Sequence, residues 1–227
     1  MGCDIHLKLE YRIKKELIPS DIDKYTFEYL KELDSKVKNG EITNDEYEAE
    51  RDKTYNYLSF KIYINWHDTY FWRSDTWGDR CYGMFAKLAD VRNYWGDEIN
   101  PMEVRGFPED ASSNTYDKYC FRVIDDDKWC DYMEDEFYIK RSEADKHIEK
   151  YGEKILNKYN IDYLTCCDYH SASWCTTQEM EDAINETFKN KQNPSTCYPQ
   201  WAALLGVMKG FESNGMFECR AVFWFDN

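Results

Sequence analysis

The feature that most constrains the fold of this chain is an alternation of apolar and polar residues at both of its ends. Residues 3–13 read CDIHLKLEYRI, and residues 217–225 read FECRAVFWF, with apolar side chains at every second position. Side chains two apart on a strand share a face, so each segment predicts a β-strand with one buried face. We expect the two terminal strands to be neighbours in one sheet.

A charged segment interrupts this β pattern near the N-terminus. Its apolar residues follow helical spacing, and the tripeptide KNG at 38–40 breaks the pattern in the middle. Thr43 and Glu46 then form a Thr-x-x-Glu capping-box signature, which is typical of a helix start. The sequence therefore predicts an inserted helical hairpin at about 20–57, whose charge favours a solvated face over a binding surface.

The rest of the chain alternates between helical and β-rich segments without a Pro/Gly/Ser-rich linker. This arrangement favours one α+β domain spanning 1–227, mainly an antiparallel sheet with flanking helices. Helices are expected to begin after Asp79, Ser142 and Thr176, and a fourth is expected with Pro199 in its first turn. The first should end near Gly96 and the second should extend to Leu156. Strands are expected at 58–66, 119–124 and 134–140.

The charge balance limits the partners of the protein. Twenty-nine basic and 44 acidic residues give a net charge of −15, which repels a polyanion and disfavours binding to duplex nucleic acid. No apolar run approaches the ~20 residues that span a bilayer, so no membrane partner is expected. A small anion remains open as a ligand, held locally by arginines, for which the candidates are Arg73, Arg80, Arg92, Arg105, Arg122 and Arg220.

The cysteine content points to a compartment. Nine cysteines form an odd number, and the N-terminus lacks the apolar core of a signal peptide. A complete disulfide framework is therefore not expected, and a reducing cytoplasm with free, mostly buried thiols is favoured.

The candidate site is the segment CDYHSASW at 167–174, which has an echo at the N-terminus. Asp168 and His170 repeat the Cys-Asp-x-His order of Asp4 and His6, and each pair would share one face of an extended segment. A carboxylate beside an imidazole can support acid–base chemistry, and two such pairs brought together offer ligands for a divalent metal. Metal-free chemistry and a purely local hydrogen-bonded pair remain open alternatives.

Two features suggest an anionic ligand. His170, Ser171 and Ser173 approach the helix start at Thr176, where unpaired N–H groups favour a phosphate. Arg80 is expected in the first turn of the helix after Asp79, where a cation is unfavourable unless an anion offsets it. A surface arginine paired with a nearby carboxylate would explain Arg80 equally well.

Several segments together resemble a family of bacteriophage proteins that open with Met-Gly-Cys-Asp-Ile-His. The similar segments in this chain are 1–6, 80–93, 105–112 and 168–174, whereas the hairpin at about 20–57 is not covered. The family motif often has His-Ser-His-Ser where this chain has His-Ser-Ala-Ser, with Ala172 in place of the second imidazole. The resemblance implies a phage or prophage origin and, by analogy of context, a counter-defence protein that acts on nucleotide signals in the bacterial host cytoplasm.

These observations lead to one functional expectation and two alternatives. The expectation is a hydrolase that cleaves a phosphoester bond in a small, cyclic or linear, signalling nucleotide. The alternatives are a binding protein that sequesters the nucleotide without turnover, and an acidic inhibitor of a host protein; a homodimer stays open. In the enzyme, His170, Asp168, His6 and Asp4 would be catalytic or hold a divalent metal, Arg80 and Arg105 would hold phosphate charge, Ser171 and Ser173 would bond its oxygens, and Trp174 would stack on a base.

Overall fold

The computed structural model describes residues 3–70, 80–94, 99–130, 137–166, 168–189 and 197–226. Within these ranges, the chain forms seven α-helices and eight strands, which confirms the α+β expectation. The strands are β1 (Ile5–Ile13), β2 (His67–Asp68), β3 (Cys120–Ile124), β4 (Tyr138–Lys140), β5 (Ile155–Lys158), β6 (Ile161–Thr165), β7 (His170–Thr176) and β8 (Phe217–Phe225). The helices are α1 (Phe27–Lys38), α2 (Asn44–Ile62), α3 (Tyr82–Ala89), α4 (Ser113–Tyr119), α5 (Arg141–Tyr151), α6 (Thr177–Thr187) and α7 (Tyr198–Glu212).

The terminal strands form the centre of the first sheet, whose order is β2-β1-β8-β7. β1 and β8 pair antiparallel from Ile5 opposite Phe225 to Ile13 opposite Phe217, which confirms that they are neighbours. Their alternate apolar side chains face α3, α6 and α7 and form the main hydrophobic core with them. Burial of this face stabilises the fold by removing apolar surface from water.

The opposite face of the first sheet is also covered, so the expectation of a single buried face on β1 is wrong. Lys8 and Glu10 lie on this second face with relative exposures of only 7% and 0%. Glu10 accepts hydrogen bonds from the Ser112 backbone N–H and the Thr115 hydroxyl, both from the segment that covers the sheet. Glu10 can be buried on this face because its hydrogen-bond partners lie inside the protein.

The second sheet has the order β4-β3-β6-β5. β3 pairs with β6 antiparallel and with β4 parallel, so the strands expected at 119–124 and 134–140, which fall at β3 and β4, run parallel to each other. One side of this sheet packs against α5 through Ala144 and Ile148. Another cluster joins Tyr163 of β6 to Tyr116 of α4, which links the second sheet to the segment covering the first.

The predicted helical hairpin is confirmed as α1 and α2, including the capping box at Thr43. α2 continues to Ile62, however, so the strand expected at 58–66 is wrong. Tyr57 packs edge-on against Tyr25 at 4.5 Å, and Lys61 donates from Nζ to the Tyr25 carbonyl at 2.8 Å. These tertiary contacts hold the β-rich run in a helix, because packing outweighs local propensity.

Other predicted boundaries shift at residues with positive φ. α3 ends at Ala89 because Asp90 adopts φ 58°, and α5 ends at Tyr151 because Gly152 adopts φ 71°. The expected helix extension to Leu156 is therefore wrong, since residues 155 and 156 begin β5. The expected starts of α6 and α7 are confirmed, whereas Asp79, Gly96 and residues 134–136 lie outside the described ranges.

No helix in the described part of the chain has the length and apolar character needed to cross a bilayer.

Candidate functional site

A cleft of about 310 Å³ opens where the two sheets meet, and we call it the junction cleft. Part of its wall is formed by Cys166, Asp168 and Tyr169, which lie between β6 of the second sheet and β7 of the first. The described residues that line it are Lys118, Tyr119, Cys120, Phe121, Phe137, Cys166, Asp168, Tyr169 and Asp226. The cleft thus combines aromatic walls with two carboxylates and one ammonium group.

The Asp226 carboxylate is held in place at the end of β8. Its Oδ1 accepts a hydrogen bond from the Asp4 backbone N–H at 2.9 Å, and its Oδ2 lies 3.2 Å from His6 Nε2. The His6 ring stacks on Trp224 with a centroid distance of 5.6 Å and lies 5.1 Å from the Tyr169 ring. Asp226 and His6 therefore form an ordered carboxylate–imidazole pair beside the cleft.

The Asp4 side chain binds Arg80 instead of His6. Arg80 Nε donates to Asp4 Oδ1 at 2.8 Å, and this hydrogen bond lowers the pKa of the Asp4 carboxyl below its ordinary value. Arg80 lies ahead of α3, whose N-cap is Cys81, so its expected place in the first turn is wrong. The pairing matches the alternative of a surface arginine beside a carboxylate.

His170 lies on the opposite face of the first sheet from His6. His6 is opposite Trp224 in the sheet register and His170 is opposite Phe225, and successive residues of β8 point to opposite faces. The rings confirm this placement, because His6 stacks on Trp224 and His170 on Phe225. The two Asp-x-His pairs therefore do not come together.

Asp168 and His170 do not share a strand face, because Asp168 lies in the turn before β7. His170 Nδ1 is 3.0 Å from the Ser171 hydroxyl, and Nε2 is buried without a hydrogen-bond partner among the described residues. Asp168 lines the junction cleft instead. The expected orientation of the His170 ring by Asp168 is therefore wrong.

The described ranges contain no set of ligands for the possible divalent metal. Among these residues, no group of three or more His, Cys, Asp or Glu side chains is placed to hold an ion. Of the side chains proposed as ligands, His6 and His170 lie on opposite faces of the sheet, Asp168 lies in the turn before β7, and Asp4 is engaged by Arg80. The donors therefore do not surround a common point.

The N-terminus of α6 is closed by its own side chains. Thr176 and Glu179 form a reciprocal capping box there, and the Arg105 guanidinium binds the Glu179 carboxylate. This ion pair lowers the pKa of Glu179, so a negative charge already occupies the end of the helix. A phosphate in front of α6 would therefore meet this carboxylate.

Arg105, Ser173 and Trp174 serve to attach a loop to the edge strand β7. The Arg105 backbone N–H donates to the Ser173 hydroxyl at 3.0 Å, and its guanidinium lies 4.5 Å from the Trp174 ring centroid. The Ser173 hydroxyl, expected to bind a nucleotide, thus binds the Arg105 backbone, and the Arg105 and Trp174 side chains contact each other.

The other candidate arginines within the described ranges also have protein partners. Arg122 binds Asp117 with two hydrogen bonds of 2.6 Å, and Arg220 binds Glu10 and Asp110. Arg92 interacts with the Cys3 thiol. Arg73 lies outside the described ranges.

Burial keeps the Tyr119 hydroxyl and the Cys120 thiol of the junction cleft protonated. It raises the pKa of Tyr119 to about 12 and that of Cys120 to about 12, so both groups are neutral at pH 7. Lys118 Nζ lies 3.7 Å from the Phe137 ring centroid, a cation–π distance. Two carboxylates against one ammonium group make the cleft suited to hydrogen-bond donors and poorly suited to a phosphate.

Sequence reasoning missed Asp226, Lys118, Tyr119 and Phe137 as site residues. A signal existed for Asp226 alone, because antiparallel pairing of the terminal strands places the residue after Phe225 beside Asp4. Tyr119 ends α4 just before β3, and Phe137 immediately precedes β4. No sequence pattern indicates where these elements lie relative to the first sheet.

Comparison with known proteins found no matching family model, no matching curated protein and no matching solved structure.

Proposed function

We propose that this protein binds a small, flat, nitrogen-rich ligand of the nucleobase or nucleoside class in the junction cleft. The observation that carries the proposal is the composition of the cleft, which sets aromatic rings beside two carboxylates. Its volume of about 310 Å³ is at the lower end of the ~300–1,000 Å³ typical of ligand pockets, which favours a mononucleoside over a larger signalling nucleotide.

The aromatic side chains account for binding of a planar ring. Tyr119 and Tyr169 are roughly parallel, with an interplanar angle of 21° and a centroid distance of 6.0 Å. Both line the cleft together with Phe121 and Phe137. Stacking on such rings is worth ~1–3 kcal/mol per base and tolerates any base.

The carboxylates provide selectivity among planar ligands. Each carboxylate oxygen accepts two hydrogen bonds, so Asp226 can accept from a ligand while it keeps Asp4 and His6 as partners. Asp168 and Asp226 therefore favour bases that present amino or ring N–H groups. A phosphate would bring negative charge beside these two carboxylates, so nucleosides are expected to bind more tightly than their monophosphates.

The test is a titration of the purified protein with adenosine, guanosine, cytidine, uridine and the matching monophosphates, followed by calorimetry. Amino-bearing nucleosides should bind, and Asp168→Asn should weaken that binding at least tenfold. Asp23→Asn is the matched control, because Asp23 lines a different cavity and its substitution should leave affinity unchanged. Equal affinity of Asp168→Asn and the original protein, or tighter binding of the monophosphates, would contradict the proposal.

The Asp226–His6 pair favours a second candidate, which is acid–base cleavage of the bound ligand. An imidazole beside a carboxylate can hold and transfer a proton during hydrolysis. Chromatography and mass spectrometry after denaturation separate the two functions. New products that disappear in His6→Gln indicate an enzyme, whereas an intact ligand recovered from both proteins indicates sequestration.

A further inference from the structure

A second cavity lies where the helical hairpin joins the first sheet, and we call it the hairpin cavity. Its described lining comes from within the segment 12–23, which leads from β1 into the hairpin, from residues 64–66, which lead from α2 to β2, and from Asp110. Its volume is about 560 Å³, within the range of ~300–1,000 Å³ typical of ligand pockets. The hairpin cavity and the junction cleft share no described residue.

The buried Trp66 ring is an ordered part of the cavity wall. The Arg12 and Arg220 guanidinium groups lie 4.3 and 4.0 Å from its centroid, and Trp66 Nε1 donates to Asp110 Oδ2 at 3.0 Å. Arg12 Nε donates in turn to the Glu218 carboxylate at 2.5 Å. These contacts hold the wall in place, so a ligand does not have to order it on binding.

Aliphatic side chains form another part of the wall. They belong to Ile18, Pro19, Ile22 and Ile64. The Ile22 N–H donates to the Pro19 carbonyl at 3.1 Å, which closes a turn, and Ile22 is only 6% exposed. Such a surface can bury the apolar side chains of a ligand.

Two opposite charges at the cavity have no partner within the described part of the chain. Lys15 and Asp23 line the cavity and are exposed, and neither side chain forms a hydrogen bond or an ion pair with another described residue. Arg12 and Asp110 bring the lining to two cations and two carboxylates, so its formal charge is zero although the chain carries −15. A ligand with a single charge would pair with one of the two free groups and be repelled by the other, whereas a zwitterion complements both.

We propose that the hairpin cavity binds a short peptide with free termini and apolar side chains. The peptide carboxylate pairs with Lys15, its ammonium group pairs with Asp23, and its side chains pack on the aliphatic wall and on Trp66. Ser20 and Asn65 also line the cavity without a side-chain partner in the described ranges, and they can bond the peptide amide. This site is independent of the nucleoside site proposed above.

The experiment is calorimetric titration of the full chain with leucyl-leucine, N-acetyl-leucyl-leucine and leucyl-leucinamide. The two blocked forms each lack one terminal charge. We expect leucyl-leucine to bind more tightly than either of them by roughly fivefold, the order expected for one partly exposed ion pair. Glycyl-glycine should bind more weakly than leucyl-leucine, because it brings no side chain to the aliphatic wall.

Two variants assign each end of the peptide to a residue. Lys15→Gln should weaken leucyl-leucine by roughly fivefold and leave leucyl-leucinamide unchanged, because that ligand has no carboxylate to lose. Asp23→Asn should weaken leucyl-leucine to the same degree and leave the acetylated peptide unchanged. Lys14→Gln and Asp127→Asn are matched controls outside the cavity lining and should change neither affinity.

The urea midpoints of Lys15→Gln and Asp23→Asn should equal that of the original protein, because both side chains are exposed and have no partner among the described residues. Equal affinity for the free and blocked peptides overturns the proposal, as does the absence of leucyl-leucine binding at millimolar concentration. Neither result bears on the junction cleft, whose ligands are nucleosides.

Discussion

The buried ion pair between Glu10 and Arg220 should contribute more to stability than any surface pair. The side chains of Arg220 and Glu10 are only 4% and 0% exposed, and Arg220 Nε donates to Glu10 at 2.8 Å. Glu10 also accepts hydrogen bonds of 2.6 Å from Ser112 and from Thr115. Arg220→Met would leave this carboxylate buried with two neutral donors and no cation.

The expected loss follows from that uncompensated charge. Removing one member of a buried pair costs about 3–5 kcal/mol, against a total stability of roughly 5–15 kcal/mol. Arg12→Met is the matched control, because Arg12 and Arg220 lie 4.3 and 4.0 Å from the Trp66 ring centroid. The carboxylates that Arg12 binds, on Glu218 and Asp110, are 36% and 59% exposed, so its loss should cost up to about 1 kcal/mol.

Urea denaturation of the original protein, Arg220→Met and Arg12→Met at pH 7 gives the free energy of unfolding of each from its midpoint and slope. Arg220→Met should unfold at a clearly lower urea concentration than Arg12→Met, with an unchanged slope. The double variant Glu10→Gln with Arg220→Met should recover part of the loss, because it removes the isolated charge. If Arg220→Met and Arg12→Met lose equal stability, or if the double variant is the least stable, the ion pair does not have the role assigned to it.

Three further predictions concern other carboxylates and the hairpin. Burial raises the pKa of Asp68 above 3.8, so stability declines as pH rises through that raised pKa; Asp68→Asn, which still accepts from the Tyr70 N–H, should melt higher than the original protein at pH 7. The Arg80 hydrogen bond lowers the pKa of Asp4 below 3.8, so Asp4→Asn should destabilise by less than about 1 kcal/mol at pH 7, a difference that fades in urea titrations as pH falls through the lowered pKa. Thr43→Ala removes the cap of α2 and should cost about 0.5–2 kcal/mol in chemical denaturation, whereas a loss below this range would show that the hairpin end frays.

Local sequence patterns predicted the parts of the fold that depend on local chemistry. The alternation in β1 and β8 predicted their pairing, and the signals at Thr43 and Thr176 predicted the starts of α2 and α6. A capping box joins residues only three apart, and strand alternation reports which face is apolar. Both signals can be read in full from a short segment of the sequence.

Predictions failed where distant residues decide the outcome. The run at 58–62 has β-rich composition but stays helical because α2 packs on Tyr25, and Glu10 is polar by type but buried because Arg220 and Ser112 reach it. None of these partners is close in sequence to the residue that it contacts. A polar residue on an alternating strand predicts solvent unless its partner is known, and the partner here lies 210 positions away.

The candidate site shows the same division between near and distant information. The repeated Asp-x-His motif identified His6 and Asp168, and both lie at or beside the junction cleft. It also suggested that His6 and His170 act together, which fails because their opposite residues, Trp224 and Phe225, are successive on β8. β1 and β7 both pair with β8. Their histidines would reach the same face only if the β8 residues opposite them were an even number of positions apart. A shift of one residue therefore separates the two histidines and leaves Asp226 as the partner of His6.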